Sequence, residues 1–400
     1  FKQLIMMSGY DRYFQLAPCF RDEDPRADRS PGEFYQIDME MAFVEQDQVF
    51  EANEYLFTHL FRRFSDWKVT DAPFPRYTYD DIMSRYGSDK PDMRNPLEIT
   101  DVTKVFADTE FRVFKSVLAQ DGNIKAIWVK RSEQPPRKFF DDTVKFFQDI
   151  SGNGLAWLYF TEDEVKGSIS KFISDDEKET LRQQVTKGEQ GALFFAGGRE
   201  SEVLPFIARL RDRLGEALDL LEKDVYKFIW ITDYPFYELD PATGKVEFSH
   251  NPFGMPQGGL EALNSKDPLT IHATQYDLVC NGLELGSGAI RNHLPEVMYR
   301  AFEIVGYSKE EVDEKFGGMI RAFTYGAPPH GGIATGFERI VMLLAKENAI
   351  RNVILFPMAQ TVEDLMMGAP GTLSLEQLQD VHIRVELPPE LKAKQSLANE

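Results

Sequence analysis

An apolar run, Tyr13-Phe14-Gln15-Leu16-Ala17-Pro18-Cys19-Phe20, breaks into a charged segment from Arg21 to Glu33, and an alternating pattern then runs from Phe34 to Phe43. This reads as strand, charged loop, strand. In the returning strand a period of two puts Ile37, Met39, Met41 and Phe43 on one face and Gln36, Asp38 and Glu40 on the other. The first is a core face. The second carries two carboxylates and an amide, and needs something polar or cationic above it. The loop supplies three arginines beside five acids. An ordinary hairpin with a wet face and a solvated loop fits the same residues.

The 400 residues suit two or three domains at about 100–200 residues each. No window reaches the roughly 18 consecutive apolar residues of a membrane span, and the first residues show no charged-then-apolar leader. A net charge of -20 predicts solubility and general repulsion from nucleic acid, without excluding a local basic surface. Cys19 and Cys280 lie in apolar, strand-like runs with no Cys or His at metal-ligand spacing. That argues against a zinc site or a disulfide framework and for a reducing, cytoplasmic setting. The chain opens at Phe1, just before an expected strand, which reads as a truncation.

Along the chain, 49–64 reads as an amphipathic helix with Val49, Leu56, Leu60 and Phe64 on its stripe. A short helix follows at 79–86, then a linker of turn formers and charge at 87–96. From Leu97 short strands at 126–129, 155–160 and 192–196 alternate with helices at 137–150 and 202–221. This is an α+β module of its own, read as structural or partner-binding because it lacks paired carboxylates and His or Cys clusters. A buried strand at 228–236 then resumes the first pattern, followed by strands over 276–285, a helix over 296–305 and a strand running into a helix over 333–344. The expected division is 1–92 and 226–386 as two parts of one catalytic domain, 93–225 inserted between them, and 387–400 as a C-terminal tail.

Three distant stretches carry chemistry. Arg21 ends the first strand, where its planar, permanent charge suits a phosphate or carboxylate. In 275–291, Asp277 and Glu284 are acids in an otherwise apolar strand pair, and a glycine-rich turn brings Arg291 back. Acids beside phosphates imply Mg²⁺, although edge-strand acids facing water fit as well. In 328–344 glycines let a ligand approach the backbone, and the next helix offers its free N–H groups to anions. Phe337, Ile340, Val341 and Leu344 form the expected buried stripe there, leaving Arg339 off the core side. A tight packing crossover also fits, and the stretch has no Gly-Lys-Ser or Gly-Lys-Thr. Taken alone, His250 reads as a structural hydrogen-bonder in a turn and Lys2 as a surface residue.

Together these stretches resemble the class II aminoacyl-tRNA synthetases, most closely the bacterial-type aspartyl members. The run from Phe20 through Arg29 to Asp38 looks like motif 2, and Gly336-Phe337-Glu338-Arg339 looks like motif 3. The module after the linker is similar to the bacterial insertion domain. The resemblance implies an α+β fold: an antiparallel sheet flanked by helices and interrupted by a separate α+β insertion domain. It also implies an ATP-dependent ligase that activates L-aspartate and charges tRNA(Asp), and in some members tRNA(Asn). By resemblance, Arg21 would hold the ATP α-phosphate and the substrate carboxylate, beside Asp22 in the ATP site. Glu23 would contact adenosine, and Ser30 would lie on the adenine side. Arg339 would clamp the γ-phosphate next to Gly336, Phe337 and Glu338. Glu284, helped by Asp277, would bind Mg²⁺. Arg291 and Lys2 would recognise the aspartate side chain near Asp38, with His250 closing over it. Glu338 stands where Asp is frequent, and Gly32 looks like an extra loop residue that shifts Ser30 by one position. The anticodon-binding barrel, motif 1 and its homodimer contacts would precede Phe1, so weak or absent activity is expected of this length alone.

Overall fold

The computed structural model describes residues 1–21, 32–359 and 361–388. It forms two units, Phe1–Pro18 with Tyr35–Ile340, and Cys19–Phe34 with Val341–Glu400. The first unit is built on a seven-stranded sheet. Its strands are β1 (Arg12–Phe20), β2 (Glu33–Ala42), β3 (Arg76–Thr78), β4 (Phe228–Thr232), β5 (Gln275–Cys280), β6 (Leu283–Ile290) and β7 (His330–Gly336). They lie in the order β1-β2-β7-β6-β5-β4-β3. From β2 to β4 each neighbour is antiparallel, and β3 joins β4 in parallel.

Two glycine-rich stretches turn out to be strand interior rather than turn. A Cβ on Gly288 would lie 2.2 Å from the Gly332 carbonyl oxygen, and one on Gly332 would lie 2.0 Å from that of Met39. The backbones of β2, β7 and β6 therefore approach more closely than side chains would permit. The reversal from β5 to β6 is Asn281-Gly282, with φ of 50° and 82°, the residue pair a tight hairpin turn favours.

The first residues form a helix, α1 (Lys2–Met7), and not the lead into a strand. α2 (Gln46–Phe64) begins at a reciprocal cap between Glu45 and Gln48 and ends on Arg62 and Arg63 at the negative end of its dipole. Its buried stripe is Val49, Phe50, Asn53, Glu54, Phe57 and Phe61; of the expected stripe Val49 lies in it, Leu56 and Leu60 are half-buried and Phe64 is exposed. Two polar residues, Asn53 and Glu54, lie in the true stripe and disguise it. Phe50 stacks on Trp230 at 4.1 Å and meets Tyr276 edge-on at 5.0 Å, and Asn53 Nδ2 reaches Met39 Sδ at 3.5 Å. α2 thus covers one sheet face; the other holds an apolar cluster of Ile82, Tyr86, Ile229, Ile231 and Val279 toward β4 and polar residues toward β2. Phe43, expected on the core face, lies past the end of β2 at φ 57° and is 73% exposed. α3 (Tyr79–Tyr86) is capped by Thr78 and stopped by Gly87 in the left-handed region.

A second, antiparallel sheet in the same unit runs Ile99–Asp101, Asn123–Lys130, Gly191–Gly198, Ala156–Phe160, Val165–Gly167 in space. α4 (Arg137–Ser151) and α5 (Glu200–Ala217) pack Phe140, Phe147, Ile207 and Leu214 onto one face with Ile127 and Phe194. Phe106, Phe114, Ile169 and Leu181 cover the other face with Ile124 and Phe195. α6 (Phe337–Leu344) follows β7 directly; Ile340 is buried, but Phe337, expected on the buried stripe, is 42% exposed. In the second unit the described residues form a 3₁₀ turn at Ile350–Val353 and a short helix at Leu375–Asp380. Residues 389–400, most of the expected tail, lie outside the described residues.

The buried Glu54 Oε1 accepts hydrogen bonds from Trp230 Nε1 (2.9 Å) and the Phe74 amide (3.1 Å), tying α2 to the sheet. Glu54→Ala strands two buried donors and is expected to lower unfolding stability by about 2–4 kcal/mol in urea titration. A loss below about 0.5 kcal/mol would show that the contact is incidental.

Candidate active site

Cross-strand register sets the open face of the sheet. Asp38, Ala334, Ser287 and Asp277 form one row across β2, β7, β6 and β5, and Glu40, Gly332, Ala289 and Gln275 form the next. Glu284 lies three residues before Ser287, so simple alternation would turn it to the opposite face. A bulge at Leu285 corrects this: Leu278 pairs with Gly286, but Val279 pairs with Glu284. Glu284 thereby joins Ser287 and Asp277 on the same side, a common use of a bulge.

Four charges alternate on this face. Arg291 Nε donates to Glu40 Oε1 at 2.8 Å and Arg291 Nη2 to Glu40 Oε2 at 3.2 Å, with both residues buried. Lys2 Nζ lies 2.8 Å from Asp38 Oδ1 and 3.6 Å from Glu40 Oε2. Burial works against the Arg291 charge, but Glu40 outweighs it and holds the guanidinium above its ordinary value. The face that needed something polar or cationic above it thus has Arg291 and Lys2, and its Glu40 is fully buried, against the alternative of a wet hairpin face. Glu40 belongs to the site although sequence reasoning did not single it out; its signal was the period of two that it shares with Asp38.

α1 brings Lys2 to this network, and Gln3 Nε2, 3.1 Å from His330 Nε2, seats the helix. The other ring nitrogen, Nδ1, lies 2.8 Å from the Pro328 carbonyl and donates to it, leaving Nε2 as the acceptor for Gln3. Burial keeps this imidazole below its usual pKa.

Farther along, Arg339 Nη1 donates to the Glu284 carbonyl at 2.6 Å and lies 3.8 Å from its Oε1, both side chains being partly exposed. Glu338 is engaged elsewhere: its two oxygens accept from the Tyr35 amide at 2.9 and 3.0 Å. Gly336 ends β7, and Phe337 turns outward. Asp277 accepts from Tyr234 Oη at 2.8 Å, and its other oxygen is buried with no hydrogen-bond partner among the described residues. Burial and the Glu284 carboxylate push its carboxyl well above the usual range, and burial beside Asp277 likewise raises the Tyr234 hydroxyl. His250 lies edge-on to Tyr234 at 4.9 Å and near Tyr79; that packing lowers its imidazole, although its outer edge is exposed.

The structure thus brings together Lys2, Asp38 and Arg291 as one group and Asp277, Glu284 and Arg339 as another, on one sheet face, with His250 near the second. Arg21 belongs to the other unit, where its amide donates to the Gly32 carbonyl at 2.9 Å and its guanidinium lies 5.1 Å from the centre of the Phe34 ring. Asp22, Glu23 and Ser30 lie outside the described residues. Two repelling carboxylates, one with an orphaned buried oxygen, fit a divalent cation. Glu284 presents the accessible oxygens and Asp277 stands behind it. Among the described residues no three His, Cys, Asp or Glu side chains form a metal-binding group. The remaining ligands of a hard cation such as Mg²⁺ would be water and substrate oxygens.

A family model described as tRNA synthetases class II (D, K and N) matches residues 1–360. The chain is 52% identical to an aspartate–tRNA(Asp/Asn) ligase of Orientia tsutsugamushi over 96% of its own length and 65% of that protein. It is 54% identical to one of Gluconobacter oxydans over 97% and 65%, and 52% identical to one of Zymomonas mobilis over 98% and 66%. The chain thus spans about two thirds of the length of these relatives. Among solved structures it resembles an aspartyl tRNA synthetase from Entamoeba histolytica at 19% identity over 89% of this chain and 50% of that one. The TM-score is 0.44, too loose to carry an argument.

Removing one partner of the Glu40–Arg291 pair leaves a buried charge uncompensated, so Glu40→Ala is expected to cost about 3–5 kcal/mol in chemical denaturation. Asp277 has the opposite signature. Its folded-state pKa is raised, so the stability favouring its neutral form is complete below the ordinary carboxylate pKa and is lost as pH rises through the raised value. Asp277→Asn should flatten that decline and stabilise the chain at neutral pH; an unchanged stability–pH profile would refute the assignment.

Proposed function

The chain belongs to the class II tRNA synthetases (D, K and N), and on that premise we propose that it activates L-aspartate with ATP and transfers it to tRNA(Asp) and tRNA(Asn). The observation that carries this reading is the alternating network on the open face. Arg291 and Lys2 are held by Glu40 and Asp38 at a fixed spacing, two cations suited to the carboxylate of an aspartate side chain. Asp38 and Glu40 hold them in place. A lysine substrate would meet Arg291 as a like charge. Loss of the arginines or acids would mark a non-catalytic paralogue, and Arg21, Glu284, Arg291 and Arg339 are all retained.

In the first step an oxygen of the aspartate α-carboxylate attacks the α-phosphorus of ATP. The bond to the β-phosphate bridging oxygen breaks, and pyrophosphate leaves with its electron pair. Arg21 stabilises charge at the α-phosphate, and Arg339, braced on the Glu284 carbonyl, grips the γ-phosphate. Mg²⁺ held by Glu284 and backed by Asp277 would supply charge neutralisation at the phosphates. His250 closes over the amino acid. In the second step the terminal hydroxyl of tRNA attacks the activated carbonyl and AMP departs. No side-chain nucleophile takes part; positioning and electrostatics supply the catalysis.

The tRNA(Asn) part rests on the relatives, whose names include both tRNAs. We assign Asp22, Glu23, Ser30, Gly336, Phe337 and Glu338 to the ATP side by resemblance, and 93–225 to an insertion between the catalytic halves. We further propose a homodimer in the cytoplasm. Among the described residues no helix is long and apolar enough to cross a membrane.

Aspartate-dependent ATP–pyrophosphate exchange by the full-length protein tests the reading. Arg21→Ala and Arg339→Ala are each expected to lower kcat/KM by about 10²-fold or more, and Arg291→Leu to raise the aspartate KM. Exchange driven equally by asparagine or lysine, or indifferent to Arg21→Ala, would sink it.

A further inference from the structure

Both connections of the module at 93–225 converge on one turn of the catalytic sheet. On the entry side, Arg211 of α5 is 1% exposed. It donates from Nε to the Leu97 carbonyl at 2.6 Å and from Nη2 to the Asn95 and Asp92 carbonyls at 2.7 and 2.9 Å. Asn95 Nδ2 returns a bond to the Arg211 carbonyl at 2.9 Å. The fit against α5 is close: a Cβ on Gly215 would lie 2.4 Å from Asn95 Nδ2. The clasped Asp92 packs on the β5–β6 turn, 3.3 Å from where a Cβ of Gly282 would stand.

On the exit side the same turn is held by the returning chain. Asn281 Oδ1 accepts from the Lys227 amide at 2.8 Å, and its Nδ2 donates to the Val225 carbonyl at 2.9 Å. The Glu222 amide also donates to the Arg94 carbonyl at 3.0 Å, so entry and exit are joined to each other. One residue beyond this turn β6 begins, and its second residue is Glu284, immediately before the bulge that aims it onto the open face.

We propose that the inserted module sets the position of Glu284 through this double clasp, with Arg211 and Asn281 as positioning residues that touch no substrate. The consequence for Mg²⁺-bound ATP rests on the function proposed above; the mechanical link does not. A turn held from one side only is free to shift the bulge register, and with it the direction of Glu284. Held from both sides, it couples the seating of the module to the carboxylate.

Hydrogen–deuterium exchange of peptides spanning 276–290, measured beside Mg²⁺–ATP and aspartate affinity by calorimetry in the full-length protein, tests the proposal. Arg211→Met removes the three guanidinium bonds of the entry side and keeps the Asn95 bond to the residue-211 carbonyl. Asn281→Gly removes both side-chain bonds of the exit side, leaving the residue-281 amide on the Lys227 carbonyl, while tolerating the positive φ, and so keeps the test open if Arg211→Met does not fold. Each is expected to speed exchange in 276–290 and to weaken Mg²⁺–ATP by between about 2-fold and 30-fold, with aspartate affinity unmoved. Unchanged exchange in a folded Asn281→Gly chain, or faster exchange with unchanged Mg²⁺–ATP affinity, overturns the proposal. A wild-type protein that binds no Mg²⁺–ATP sinks the proposed function instead, and the exchange arm still decides whether the clasp exists.

Discussion

The open face of the sheet depends on the buried pair between Glu40 and Arg291. Neither residue could be buried alone, because an isolated charge in a protein interior costs several kcal/mol. Together they bridge β2 and the residue after β6 across β7, and the register partner of Glu40 on β7 is Gly332. A Cβ at that position would lie 2.5 Å from Glu40 Oε2, so the missing side chain is what admits the carboxylate. Lys2 and Asp38 extend the pair outward, giving a row in which each charge faces its opposite.

The two sheet faces divide the work of stability and chemistry. α2 covers one with aromatics, Phe50 stacked on Trp230 and Phe61 edge-on to Phe228, and ties itself down through Glu54. That leaves the opposite face able to hold acids whose environment is unfavourable, such as Asp277 with its orphaned oxygen. Strain of this kind is tolerated where the surrounding structure over-determines it, as the turn clasped from both module connections illustrates. In the candidate metal site, repulsion between Asp277 and Glu284 is what a cation would relieve.

Much of the fold was legible because its signals are local. The helix at 79–86, the strands at 126–129 and 192–196, and the strand running into a helix near 333 all appear where apolar periodicity and turn formers put them. Local signals misled where a polar residue was buried or a glycine served a neighbour rather than its own backbone. Asn53 and Glu54 hid the face of α2, and Glu40 looked solvated. Gly286, Gly288 and Gly332 looked like turns because nothing in their own segments reveals that another strand needs the space.

What the sequence by itself determined is the inventory: an α+β chain with an inserted module, and arginines and acids in three stretches that match one family. Residue type and short-range spacing carry that information. Which of those groups meet was decided only by the tertiary structure. Pairing Arg291 with Glu40 requires strand register across three strands, and turning Glu284 onto the shared face requires a bulge at Leu285 that its own alternation contradicts. Register and bulges are set by neighbouring strands, and a linear pattern contains no term for a neighbour.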